Sequence, residues 1–509
     1  MHEDSVAATN NDPSSYKRNL VTNGLTLNYK GNGYSLNSTT GYQYLGDKMV
    51  MDQDYTEQSV FSIIQRQTQH SASQEFTIKS ENSSNYKWVY GLFGFIDNRT
   101  IDTPVSIKED GVSALAQLIN SQIPPSPMSP KLEFKGDRIE LPGVYKKPVS
   151  GLAFFHQSTL NNLFGLNGLS ATAGIRFDYE KTKIDYNTYS TGGDIQVKMG
   201  NNIIGEQNID TSLEGVFQKD FWQVLPKVAL QYDFSPTSMI YASASKGYKS
   251  GGYNEQAFSK ILQKAMMNSR PGAEQKEDNL EDQLSYDPET SWAYELGGRY
   301  EMFERRLSLN YTIFYSNVNN IQIIKLEDQG RSGRTVDNAG KSVSKGLEVS
   351  LRYNPTKNFT LFSEYGLASA KFKNYGGEGK VEGKSEDVDY SGNYIPFAPQ
   401  NTLSVGASYV LNFNKNAFLD RMTANVQYTG VGKIYWTEDN EAYQPFYGLT
   451  NASVSLERGP LTLEVWGKNI FAQDYLSFYF RVSDMQGIEN PYVQRGTPSR
   501  FGATLKYTL

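Results

Sequence analysis

Apolar and polar side chains alternate along this chain with a period of two, from Leu25 to the last residue. Leu25, Leu27 and Tyr29 share one side of an extended backbone, as do Leu169, Ala171, Ala173, Ile175, Phe177 and Tyr179. Val228, Leu230, Tyr232 and Phe234 repeat the pattern, as do Leu307, Leu309, Tyr311, Ile313 and Tyr315. Successive side chains of a strand point to opposite faces, so each run is a ribbon with one dry and one wet face. The closing stretch SRFGATLKYTL is another: Phe501, Ala503, Leu505, Tyr507 and Leu509 lie on one face, Arg500, Gly502, Thr504, Lys506 and Thr508 on the other. About seventeen such strands can be counted, which makes the fold all-β and antiparallel.

The connections fall into two kinds that alternate. Short ones are rich in turn formers: Gly31 to Gly33, Glu81 to Asn85, Phe234 to Thr237, Asn354 to Asn358 and Glu457 to Pro460. Long polar ones cover roughly 100–145, 186–215, 250–288, 373–399, 432–446 and 471–495. Two of these carry helical spacing, at GVSALAQLINSQI and AFSKILQKAMMNS, and IPPSPMSP is a proline-rich spacer. Short turns at one rim, long loops at the other and runs ending in Tyr or Phe describe a transmembrane β-barrel with aromatic girdles. Two alternatives remain open. A passive diffusion channel would need an even strand count and an inward-folded loop. A secreted all-β binding protein would pair its apolar faces across a dry core.

Composition narrows the functional classes. At 509 residues with no obvious boundary, a soluble reading would need several domains, whereas one barrel needs none. The 35 tyrosines suit places where one end of a side chain is dry and the other wet. A net charge of -6 gives no basic footprint for nucleic acid, and the absence of cysteine removes disulfides and thiolate chemistry. No apolar run is long enough for a spanning helix. The N-terminus lacks the pattern of a signal peptide.

Catalytic constellations are not found. His2, His70 and His156 are scattered, and the acidic run of 276–289 sits in a polar loop where carboxyls share one environment. GxSxG and phosphate-loop spacings do not occur. Asp52 and Asp54 offer hard oxygen ligands, but no glycine turn or distal glutamate completes a calcium loop, so no metal or cofactor is expected. The remaining candidates are ligand-binding loop residues: Tyr248, Lys249, Tyr253, Tyr435, Trp436 and Tyr443, with Tyr447, Lys433, Arg481 and Arg495 near them. Aromatic faces beside cations suit an anionic, aromatic iron chelate, although any single one of these aromatics is better suited to a place in the girdle at the interface.

Several motifs stand together in order. SASKGYKSGGYN (Ser243 to Asn254), DPETSWAYELGGRY (Asp287 to Tyr300), VDNAGKSVSKGLEVSL (Val336 to Leu351), GKNIFAQDY (Gly467 to Tyr475) and GTPSRFGATLKYTL (Gly496 to Leu509) resemble the barrel of TonB-dependent outer-membrane receptors. The upstream STTGYQYLGDKMVMDQDYT, SQEFTIKS and WVYGLFGF are similar to the siderophore-receptor branch. The resemblance implies a barrel of about 22 strands, an N-terminal plug, a coupling box that engages TonB, outer-membrane lipid around the wall and a ferric siderophore as ligand. Against that pattern residues 1–22 are expected to be a loop or partial segment, and 23–509 a truncated barrel of about 17 strands without plug or signal peptide, not competent for energised uptake alone. The first strand is entered from the long-loop rim and the last ends on the short-turn rim, which gives an odd count. In the family a closing amphipathic strand is an assembly signal, here Phe501, Tyr507 and Leu509. Leu509 replaces the usual terminal aromatic, so insertion machinery is expected to read it less well.

Overall fold

A computed structural model describes every residue except 1–10, 53–56, 83, 122, 124–128, 269–278, 327–333, 382–383, 415–416, 484–488 and 509. Its main sheet has 19 strands, all neighbours antiparallel. Two of them, Val105–Ile107 and Ile139–Leu141, are three-residue extensions at one rim, which leaves a wall of 17. In chain order these are β1 (Ser15–Lys30), β2 (Tyr34–Asp52), β3 (Phe61–Ser80), β4 (Tyr86–Asp102), β5 (Gly143–Asn161), β6 (Leu169–Tyr189), β7 (Ser212–Ser235), β8 (Ser238–Lys249) and β9 (Glu289–Met302). They continue as β10 (Leu307–Asn319), β11 (Lys341–Thr356), β12 (Phe359–Asn374), β13 (Asn401–Asn412), β14 (Arg421–Val431), β15 (Tyr447–Arg458), β16 (Leu461–Lys468) and β17 (Arg500–Tyr507). The count matches the one read from the alternation.

Every wall strand pairs with its sequence neighbour, so the topology is a single meander. Register carries the dry face unbroken around it. Val228 sits opposite Ala173 and Ala244, Leu296 opposite Ala242 and Ile313, and Leu463 opposite Leu456 and Leu505. A slip of one residue at any of these pairs would turn a whole strand inside out, which is why the repeat fixes register so firmly. This face looks away from the protein: Leu152, Trp222 and Leu505 keep about 67%, 73% and 72% of their surface. The other face is polar with aromatic wedges. Arg176 lies over Phe93 and Phe155 and is held by Asp178 through bonds of 2.7 and 2.8 Å. Gly91 makes room for Phe155, whose ring would lie 2.0 Å from an added Cβ.

Two aromatic rows edge the dry face. Near the short-turn rim Phe234, Tyr300 and Tyr311 follow one another at 6.1 Å spacings; toward the other rim Trp292, Tyr294 and Tyr315 do so at 6.3 Å. Trp222 and Tyr232 mark the same two levels on β7. Ten residues at ~3.3 Å rise, tilted by ~40°, separate these levels by about 25 Å, the height of the apolar band on outer-membrane barrels.

Three features differ from expectation. β1 begins at Ser15, not near Asn23, because Lys17 and Asn19 occupy the outward positions there and hide the alternation. Two further long connections exist, 53–60 and 320–340. The second folds as a hairpin, Gln322–Leu326 against Arg334–Asn338, whose Ile321 and Ile323 alternate as a wall strand would. β1 pairs only with β2 and β17 only with β16 among the described residues, and both run toward the short-turn rim.

The described residues of the loops 103–142, 190–211 and 250–288 fold together as a cap over one part of the long-loop rim. It holds α1 (Glu109–Ser121), α2 (Ala257–Asn268) and α3 (Leu280–Leu284), and a three-stranded sheet of Lys131–Phe134, Asp194–Met199 and Asn202–Asn208. The two long helices fall where the three-and-four spacing placed them. Their apolar sides close a core with Ile139, Ile195, Ile209, Leu262 and Met266.

Candidate functional site

The sequence-derived candidates separate into two places, and no described contact joins them. At the end of β8 the Tyr248 hydroxyl reaches Glu180 on β6 at 3.5 Å, and Ser250 donates to the same carboxylate at 2.5 Å. Lys249 is exposed. Tyr253, one turn further, is 1% exposed and packs beside Tyr145, Phe258 and Leu284. Its hydroxyl donates to Glu281 at 3.0 Å, and burial, followed by that carboxylate, pushes the Tyr253 pKa up. Lys147 ties the same segment down through Glu255 at 2.6 Å and the Tyr253 carbonyl at 2.8 Å. This place is the floor of the cap and leaves little for a ligand to touch.

The second place is open. Loop 432–446 makes a short hairpin, Ile434–Tyr435 against Tyr443–Gln444, and the two tyrosine rings meet edge to face at 5.9 Å. Lys433 stands over both, its Nζ 4.5 Å from the Tyr443 centroid and 5.5 Å from that of Tyr435. Tyr394, from loop 375–400, stacks on Tyr435 at 5.4 Å and 19°, and Lys371 at the end of β12 lies 4.4 Å over Tyr394. The result is a row of two ammonium groups and three phenol rings, half-exposed at the long-loop rim. Lys371 and Tyr394 gave no local signal in the sequence, because their partners lie dozens of residues away.

Behind the row the hairpin is anchored by aromatic packing. Trp436 is 6% exposed against Phe397 at 5.6 Å and Phe478 at 6.4 Å, with Ala442 and Tyr479 beside it. Its indole N–H has no acceptor among the described residues. Phe397 adopts a left-handed φ of 64°, which costs about 1–2 kcal/mol for a side chain of this kind. Its N–H donates to the Tyr435 carbonyl at 2.8 Å, and its ring stacks on Phe478 at 5.6 Å, which together hold the conformation. Arg481 spends its charge inside this support. It donates to the Tyr479 hydroxyl at 3.1 Å, Asp439 at 3.1 Å and Glu441 at 3.2 Å. Burial alone would lower its pKa, but Tyr479 and Asp439 more than offset that and raise it. Tyr447 stacks on Tyr475 at 4.3 Å, and Arg495 is exposed.

The other candidates take structural places. Phe501 and Tyr507 are exposed on the dry face of β17; Leu509 lies outside the described residues. His70 accepts or donates with the Tyr42 hydroxyl at 3.0 Å, and His156 stacks on Tyr90 at 4.1 Å; His2 lies outside the described residues. Asp52 accepts from the Asn11 and Asp12 N–H groups at 3.0 and 3.3 Å, and Asp54 lies outside the described residues. No cluster of three metal-ligating side chains occurs among the described residues.

Residues 3–470 match the family model described as TonB dependent receptor-like, beta-barrel. Among solved structures, the ferric yersiniabactin uptake receptor FyuA from Yersinia pestis is similar with a TM-score of 0.68 at 17% identity. The alignment covers 97% of this chain and 62% of that one, so the chain spans less than two thirds of that receptor's length. The siderophore receptor PiuA from Acinetobacter baumannii is similar at 12% identity, with 97% of this chain and 79% of that one covered and a TM-score of 0.45.

Proposed function

The chain belongs to the TonB-dependent receptor-like β-barrel family, whose members are outer-membrane transporters and not enzymes, and from that premise we propose that it forms the membrane-spanning wall and loop-borne ligand site of a receptor for a ferric siderophore or a similar anionic iron chelate. The observation that carries this is the row Lys371, Tyr394, Tyr435, Lys433 and Tyr443. An anionic chelate with flat aromatic arms would exchange the tyrosine faces' hold on the ammonium groups for its own charge and stack on the exposed rings. Each cation–ring contact is worth about 0.5–2 kcal/mol, so the site can release its lysines to a stronger anion.

The dry outer face, with its two aromatic rows about 25 Å apart, would face outer-membrane lipid, with the long loops outside the cell. Phe501 and Tyr507 would serve as the outward side of the closing assembly signal. The plug and the TonB coupling protein used by family members for energised uptake are expected partners of this wall. A soluble sandwich would cover Leu505 and Tyr507, which are 72% and 62% exposed.

Binding is measured by tryptophan quenching of the detergent-folded chain with a ferric tris-catecholate, ferric citrate and a neutral ferric hydroxamate. The anionic chelates should bind, and Lys371→Gln with Lys433→Gln should weaken them at least tenfold, about 1.4 kcal/mol. Equal affinity in the double variant would remove this site from the reading.

A further inference from the structure

The two ends of the lysine–tyrosine row are built separately. On one side Lys371, at the end of β12, and Tyr394 face each other as an antiparallel bridge. The bonds flank the pair: the Phe372 N–H donates to the Asn393 carbonyl at 2.9 Å, and the Ile395 N–H to the Ala370 carbonyl at 3.0 Å. Flanking bonds mark the kind of antiparallel pair whose side chains stand closest, which puts the Lys371 ammonium 4.4 Å over the Tyr394 ring. On the other side Tyr435 and Tyr443 are register partners in their own hairpin, with Lys433 over both. Each half is a tyrosine face under an ammonium group, and each is held by its own backbone.

The joint between the halves is different. Tyr394 stacks on Tyr435, yet the backbone bonds between the two loops fall further along, from the Phe397 N–H to the Tyr435 carbonyl at 2.8 Å and from the Gln400 N–H to the Lys433 carbonyl at 3.0 Å. Tyr394 itself is taken by a side chain. Its N–H donates to Asn440 Oδ1 at 2.6 Å, and Asn440 Nδ2 donates back to its carbonyl at 2.9 Å. One carboxamide thus pairs both backbone groups of Tyr394, as a neighbouring strand would. Asn393 adds a bond from Nδ2 to the Glu438 carbonyl at 2.8 Å. Asn440 suits this place in two ways. Its φ of 60° is a left-handed conformation that asparagine tolerates better than most side chains. Its N–H and its Nδ2 both donate to the Thr437 carbonyl at 3.1 Å, so the carboxamide is oriented by its own turn. An aspartate would keep the acceptor and lose the donor; a glycine would keep the backbone and lose both.

We infer that Asn440 is a positioning residue that joins two lysine–tyrosine half-sites carried by different loops, and that the joined row prefers an iron chelate with two or more flat anionic arms over an aliphatic anionic one. An aliphatic chelate needs only the ammonium groups, whose backbones do not depend on Asn440. A chelate with two flat arms needs Tyr394 and the Tyr435–Tyr443 pair at a fixed separation, and the carboxamide sets that separation. The inference rests on the reading of this row as the ligand site.

The detergent-folded chain is titrated calorimetrically with a ferric tris-catecholate and with ferric citrate. Asn440→Gly, which keeps the left-handed backbone and removes the latch, should weaken the tris-catecholate about threefold to tenfold, the span of one aromatic contact, and move ferric citrate by less than about twofold. In a Tyr394→Leu background the same substitution should cost nothing further, because it acts through that ring. Asn254→Ala removes a latch of the same two-bond form, made to the Val336 backbone at 2.9 and 2.8 Å between two other loops, and should leave both affinities alone. Unchanged tris-catecholate binding in Asn440→Gly, equal weakening of the two chelates, or full additivity with Tyr394→Leu each overturns the inference; the last two would make Asn440 a support of the loops at large. These results leave the ligand site standing as long as Lys371→Gln with Lys433→Gln still weakens both chelates. If that double variant binds both as the native chain does, the site and the inference fall together.

Discussion

The wall and the cap use the same apolar residues in opposite ways. In the wall, Leu152, Trp222 and Leu505 are displayed, one residue in two, on a face left exposed by the described residues. In the cap, Phe258, Leu262, Ile139 and Ile195 are 0% exposed and touch only protein. The cap supplies its own cover by folding three loops over one another, so its apolar residues cluster and its helices follow a spacing of three and four. The wall leaves the cover to its surroundings, so its pattern is a plain alternation that never needs a long-range partner. A chain of one average composition therefore contains two solutions to the same requirement, and each should fail in its own way.

The largest effect should come from emptying the cap. Phe258 packs against Tyr145 at 5.1 Å and Tyr186 at 4.6 Å, cross-strand neighbours at the upper ends of β5 and β6. Phe258→Ala should cost about 3–5 kcal/mol of cap stability. Limited proteolysis within 250–288 should accelerate strongly, while heat-modifiable gel mobility, which reports the wall, stays as it was. Loss of both together would mean that cap and wall are one cooperative unit. The next largest should come from charging the wall. Val228 lies midway between Trp222 and Tyr232 on the outward side of β7, whereas Gln223 faces inward opposite Asp178. Val228→Arg should destabilise the chain in bilayers by about 2–4 kcal/mol, and Gln223→Arg by much less, as followed by urea unfolding in vesicles. Equal costs at the two positions would sink the assignment of the dry face to lipid.

The same contrast sets what the sequence discloses. Alternation at Val228, Leu230 and Tyr232 needs no knowledge of distant residues, so the wall, its meander and its strand count were legible throughout. Legibility stopped where the outward residues turned polar, as at Lys17 and Asn19 of β1, and where a loop hairpin copied the wall's pattern, as at Ile321 and Ile323. Among the candidate ligand residues, Tyr435 and Tyr443 stand in the open lysine–tyrosine row, while Tyr253 and Trp436 are walled in by chain segments remote in sequence. Nothing local distinguishes the two outcomes, because an aromatic at a loop mouth has the same neighbours in sequence whether or not another loop closes over it. Lys371 and Tyr394 were missed for the same reason.

The smallest effect sharpens the contrast by pH. Tyr253 is held neutral in the cap: burial first, and the Glu281 carboxylate second, keep its pKa above the ordinary value near 10. Because the folded form binds this proton more tightly than the unfolded form does, the stabilisation is complete below about pH 10 and is lost as pH rises through the higher folded value. The exposed aromatics of the dry face are covered by detergent or lipid rather than by a protein core, so their support does not depend on one buried proton. Tyr253→Phe should cost about 1 kcal/mol at neutral pH, the net value of one hydrogen bond, since half-buried Glu281 can turn to water. In an alkaline titration followed by tyrosinate absorbance and by proteolysis of 250–288, the variant should lose one late-titrating tyrosine, and its cap should open over a shallower pH range. Lys147 and Glu255, which brace the same segment, remain in both proteins and set the common baseline. An identical alkaline opening in the two proteins would show that the cap is undone by some other group, and that its core does not depend on the Tyr253 proton.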